Sequence, residues 1–106
     1  MIFEPLWESA QRGELLLVDG GMCHWHLRRD GQLTIREIIV LPNRQGDGIG
    51  RAMVERLART PGAMCLFAKC PADLDANFFY EAVGFSYEGD ERTQSGRNIK
   101  KWRLEL

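Results

Sequence analysis

Little in this sequence points to a metal, a disulfide framework or a charged polymer. Its 106 residues hold two histidines and three cysteines. Cys23, Cys65 and Cys70 are odd in number and lack C-x-x-C spacing, so they read as reduced packing residues, and no metal is expected. With 14 basic residues against 15 acidic ones there is no broad positive field, which excludes nucleic acid and membrane surfaces as expected partners. Met1-Ile2-Phe3-Glu4 begins no basic and apolar leader, and no run approaches the length of a membrane span. The expected location is cytoplasmic. Repeats, linkers and low-complexity segments are also missing, so residues 1–106 read as one domain.

What is present alternates strands and helices. Residues 3 to 12 suggest a short helix, with Pro5 in its first turn and Gly13 as its stop. Three strands follow, over residues 14–18, 21–29 and 32–41, and Asp19-Gly20 and Asp30-Gly31 fit two-residue hairpin turns. A helix over residues 48–60 is predicted from Ile49, Met53 and Leu57, and it should stop at Pro61-Gly62. The apolar run 63–68 reads as a buried strand. A strand, helix and strand make a right-handed crossover, so this strand should lie parallel to the one before the glycine loop. Pro71 to Leu74 opens a second helix with Leu74, Phe78, Phe79 and Ala82 on its apolar side and Gly84 as its cap. A short strand over 85–88, a loop over 89–97 and a last strand from Asn98 complete the chain.

Two places carry chemistry on their own residues. Gly46, Gly48 and Gly50 alternate at the entry to the first predicted helix, where bare backbone and free N–H groups suit a phosphate or pyrophosphate; a tight connection is the alternative. A Walker loop is excluded because Arg51-Ala52 follows Gly50, and a G-x-G-x-x-G fingerprint would need glycine at Arg51 or Met53. If Asp30 and Gly31 are the whole second turn, counting outwards sets His24 opposite Glu37 and His26 opposite Ile35. An imidazole beside a carboxylate can serve as a general base, or the two can form a half-exposed polar pair. A loop longer by one residue would undo that pairing.

Gln45-x-x-Gly48-x-Gly50 after Val40-x-Pro42 resembles the acetyl-CoA loop of the GNAT acyltransferase superfamily. Phe79-Tyr80 followed by Gly84-Phe85 is similar to that family's Phe-Tyr-x-x-x-Gly-Phe segment, and it lies at the right interval after Gly50. Motifs and intervening strands cover residues 14–106. The resemblance implies an α+β fold, an α/β/α sandwich: a mixed, mostly antiparallel sheet of about six strands, a parallel splayed central pair parting near Val40 and Ala68, and helices on both faces. It also implies acetyl-CoA as co-substrate and an amine as acceptor, small molecule or protein.

Carried over by position, the pantetheine arm would meet main-chain groups of Ile38, Ile39 and Val40, and the pyrophosphate would meet the amides of Gln45, Gly46, Asp47, Gly48, Ile49, Gly50 and Arg51. Asp73 and Asn77 fall in the pantetheine region. Tyr80 would protonate the departing thiolate, with Val40 N–H holding the acyl oxygen; a tyrosine that only packs its ring is the alternative. This chain departs from the family in having Asp47 inside the loop, Asp73 where several members use Asn, and Ala68 where some place a glutamate base. The base must then be Glu37, His24, an ordered water or the amine itself. The short front implies an open acceptor pocket or a homodimer that completes it. Trp7, Trp25 and Trp102 could line such a contact, although core packing suits at least two of them.

Overall fold

A computed structural model describes residues 13–106; the helix expected over residues 3 to 12, and Trp7 with it, lie outside the described residues. An edge strand, β1 (Leu15–Val18), turns at Asp19-Gly20 into β2 (Gly21–Leu27), which pairs antiparallel with β3 (Gln32–Val40). That first turn has the two residues its sequence predicts, with Gly20 at φ 87°.

The second turn is one residue longer than predicted. Arg28 N–H donates to Gln32 O at 2.8 Å and Gly31 N–H to Arg28 O at 3.1 Å, so Arg29, Asp30 and Gly31 form the loop, with Gly31 left-handed at φ 92°. His26 therefore faces Thr34, not Ile35. A bulge in β3 then corrects the slip: Trp25 pairs with Ile35, Arg36 has no cross-strand partner, and His24 returns to Glu37. The extra residue also keeps one face of β3 apolar. Leu33 and Ile35 before it and Ile38 and Val40 after it all join the core, which strict alternation would not allow.

The chain continues through α1 (Ile49–Ala58), β4 (Cys65–Pro71), α2 (Ala76–Ala82), β5 (Ser86–Arg92) and β6 (Asn98–Glu105). The six strands form one mixed sheet in the order β1-β2-β3-β4-β6-β5; β3 and β4 run parallel, their neighbours antiparallel. This is the expected α+β architecture with its parallel central pair, but both helices among the described residues lie on one face of the sheet and not on both. Leu33, Leu66 and Met53, each at most 1% exposed, centre the core, and such burial is worth about 1.5–3 kcal/mol per side chain. Trp102 is buried and Trp25 packs against the core.

Several boundaries move from their predicted places. α1 stops at Ala58, short of Thr60. β4 runs past Ala68 because β6 pairs with it as far as Pro71, so α2 opens only at Ala76. β5 takes up part of the predicted loop and reaches Arg92; its charged residues guard an outer sheet edge. Leu74, left outside α2, and Phe78 on it are 45% and 74% exposed, contrary to the apolar side assigned to them, while Asn77 and Tyr80 are buried.

Candidate active site

β3 and β4 pair from Gln32 and Cys65 to Ile35 and Ala68 and no further, although β3 continues to Val40 and β4 to Pro71. The strands splay from there. On β4 the parting is at Ala68, as expected; on β3 it comes at Ile35, earlier than the predicted Val40. Leu41 N–H donates to Gly20 O at 2.9 Å, which fixes the phase of the antiparallel ladder. Main-chain groups of Glu37 and Ile39 therefore point at β2, and those of Ile38 and Val40 point into the gap. Val40 O there accepts the Gln45 amide at 3.3 Å.

Pro42–Arg44 forms a 3-10 turn leading to the glycines. Gly46 and Gly48 have φ of 91° and 82°, and no atom lies within 4 Å of where a β-carbon would stand on either. Gly48 begins α1 without a side-chain cap. The first helical bond, Ala52 N–H to Gly48 O, is 3.0 Å, and Asp47 N–H reaches Arg44 O at 3.4 Å. The N–H groups of Gln45, Gly46, Gly48, Ile49, Gly50 and Arg51 have no backbone acceptor among the described residues. An uncapped helix start with that many free donors fits an anion such as a pyrophosphate.

A cleft of about 550 Å³ joins the gap to this loop. It is lined by Ile38, Val40, Gln45, Gly46, Gly48, Ile49, Gly50 and Arg51, and across from them by Phe79 of α2. Asp47 is not part of that lining. Its carboxylate is held by Arg44 Nε at 3.2 Å, and Arg44 Nη1 also reaches Asp19 at 3.2 Å. The charge opposed to a phosphate is thus tied to a guanidinium, which lies in the cleft wall. Arg51 Nη2 bonds Ala82 O at 3.1 Å and links the two helices. Composition signals these cations, but not their partners, which come from distant turns.

Tyr80 is 5% exposed, set edge-on to Phe79 and Phe85 and stacked near Trp102. Its hydroxyl has no hydrogen-bond partner among the described residues. Burial, reinforced by the Cys70 and Cys23 thiols, pushes the phenol above its ordinary value, so it keeps its proton at neutral pH. Asn77 is committed elsewhere: its amide donates to Pro71 O at 2.9 Å and Leu74 O at 2.8 Å and accepts Trp102 Nε1 at 2.9 Å. Asp73 is paired with Arg97 at 3.5 Å. Tyr80, Asn77 and Asp73 are all absent from the cleft lining, Tyr80 standing behind its neighbour Phe79.

His24 and Glu37 stand opposite each other on the sheet face away from the core, with His24 8% exposed. His26, two residues on, pairs through Nδ1 with Glu14, a contact absent from the sequence reading, which counted register only across the second turn. Among the described residues no group of three or more His, Cys, Asp or Glu is placed to hold a metal. No helix among them is long and apolar enough to cross a membrane.

A sequence profile of the acetyltransferase (GNAT) domain matches residues 8–87. The chain belongs to the GNAT acetyltransferases. Solved GNAT structures agree in fold. One described as a GNAT-family acetyltransferase from Desulfovibrio desulfuricans superposes with a TM-score of 0.78 at 25% identity over 96% of this chain and 77% of that one. Another, described as an acetyltransferase from Agrobacterium tumefaciens, gives 0.69 at 27% identity over 99% and 88%. A streptothricin acetyltransferase structure from Bacillus anthracis, in complex with acetyl coenzyme A, gives 0.70 at 19% identity over 81% and 55%. No curated protein matches the chain.

Proposed function

We propose that this GNAT protein transfers an acetyl group from acetyl-CoA to an amine by direct attack. The observation that carries the reading is the gap beyond Ile35 and Ala68, which opens onto a run of unpaired loop and helix N–H groups. In it the free amides of Gln45, Gly46, Gly48, Ile49, Gly50 and Arg51 hold the pyrophosphate, and the main chain of Ile38 holds the pantetheine arm in place of the missing β4 ladder. Acetyl-CoA supplies the thioester, whose carbon gains the C–N bond as its C–S bond breaks. Val40 N–H faces the acyl oxygen and stabilises its developing charge.

The proton lost by nitrogen passes to Glu37, to His24 or to water. Tyr80 gives its proton to the departing sulfur and is refilled from the proton released by the amine, so one proton moves in net from nitrogen to sulfur. Burial keeps the phenol protonated at neutral pH, so Tyr80 holds a proton to give and is not the base, although the same burial makes it a weaker acid. Calorimetry with acetyl-CoA, followed by CoA release in the presence of amines, tests the assignment. Binding together with amine-dependent release, and a lower kcat in Tyr80→Phe with cofactor affinity retained, is the expected result. No binding refutes it.

A CoA-binding module without catalysis is the second reading. It is favoured by the pairing of Asp73 with Arg97 and by the fully buried Ala68, which offers no base. Acetyl transfer to any amine removes it.

A further inference from the structure

The sheet face away from α1 and α2 carries two adjoining rows of different character. Cross-strand pairing sets Leu15, His24 and Glu37 side by side in one row and Leu17, Met22 and Ile39 in the next. Glu37 stands just past Ile35, the last β3 residue paired with β4, so its carboxylate borders the splay. The second row is apolar, with Leu17 68% and Ile39 42% exposed and Met22 half-buried between them. The core lies on the opposite face of the sheet and does not account for these side chains. Clustered exposed apolar groups beside a functional opening mark a binding surface.

Neighbouring positions on β3 face opposite ways across the gap. Ile38 and Val40 look toward the cofactor cleft, Glu37 and Ile39 toward the outer face. An acceptor approaching from outside would therefore meet the carboxylate first at the splay and the apolar row next to it.

We propose that the acceptor is a primary amine on an apolar body, its ammonium drawn to Glu37 and its hydrocarbon laid across Leu17, Met22 and Ile39. The proposal rests on the acetyltransferase reading and narrows its substrate class. Residues two apart along a strand are separated by about 7 Å, which sets the distance from the ammonium to the apolar group. An alkylamine or arylalkylamine spans it. A small hydroxyamine has nothing to set on the apolar row, and a diamine would place a second charge there.

The test compares hexylamine and phenethylamine with ethanolamine and putrescine as acceptors, after calorimetry has measured acetyl-CoA binding. The apolar amines should show kcat/KM higher by about tenfold or more, a difference that contacts of this size can supply. Leu17→Asp, at an exposed position, and Met22→Ser should raise KM for hexylamine and leave acetyl-CoA affinity unchanged, with thermal unfolding as the check on folding. Equal use of ethanolamine or putrescine overturns the proposal while leaving acyl transfer intact. So does an unchanged hexylamine KM in Leu17→Asp, or turnover of none of the four amines by protein that binds acetyl-CoA. Failure to bind acetyl-CoA at all overturns the underlying reading and this proposal together.

Discussion

Phe79 of α2 sits against Gly50 of α1 so closely that a β-carbon on Gly50 would lie 2.7 Å from Phe79 Cε1. The wall of the cofactor cleft is built on that contact, since both residues line it. Gly50→Ala sets two effects against each other. Helix propensity favours Ala by about 0.5–1 kcal/mol, while overlap with a packed ring costs about 1–3 kcal/mol. The overlap should win, with a net loss of about 1 kcal/mol in denaturant unfolding, and Phe79→Leu in the same chain should restore most of it. A more stable Gly50→Ala would show that the ring moves aside freely.

Asn77 ties the start of α2 to the sheet through Trp102, and each of its three bonds is inside the protein. Asn77→Ala leaves the buried indole N–H without its acceptor, while Pro71 O and Leu74 O keep the backbone N–H groups of Leu74 and Asn77 as donors. An unsatisfied buried group costs about 1–3 kcal/mol, so a loss of about 1–3 kcal/mol is expected in urea unfolding. A change under 0.5 kcal/mol would mean that water replaces the amide.

Cys23 is wholly buried, and burial pushes its thiol from the ordinary 9.0 up to about 12. Between those values the unfolded chain has lost the proton and the native protein keeps it. The unfolded state then binds fewer protons, so stability falls as pH rises from about 9 toward 12. Buried Tyr80, also raised, adds to the fall above about pH 10. Unfolding free energies measured from pH 8 to 11 should decline, and Cys23→Ala should have a shallower decline than the parent. Equal slopes would remove the thiol from the account.

The glycine loop, the crossover and the Gly84 stop were legible because each depends on local chemistry: alternating glycines, a four-residue apolar repeat and a left-handed cap at φ 102°. The pairing of His24 with Glu37 was also read, but from a turn of the wrong length; two irregularities cancelled, the third loop residue and the unpaired Arg36. Neither has a strong sequence signal. Thr34 to Val40 is apolar at too many positions for a period of two to reveal where the faces change. On α2, tertiary packing overrode the helical pattern: Asn77 is buried to bond Trp102 from a distant strand, and Phe78 is left outside. The Arg44 pairing with Asp19 and Asp47 depends on two turns meeting, which spacing along the chain does not show.

Arg36 connects this fold irregularity to the proposed function. Pairing with β4 ends at Ile35, immediately before the unpaired residue, and bulges bend a strand and end its ladder. Deleting Arg36 leaves every existing β2 partner in place, because Ile35 would still face Trp25 and Glu37 would still face His24. Alternation would become regular and β3 would straighten alongside β4. The deletion should therefore fold, with stability within about 1 kcal/mol of the parent, since it removes an exposed residue and no core contact. Closing the gap would cost acetyl-CoA affinity, by tenfold if the lost contacts are worth about 1.4 kcal/mol. A folded deletion variant that binds acetyl-CoA as tightly as the parent would show that something other than the bulge holds the strands apart.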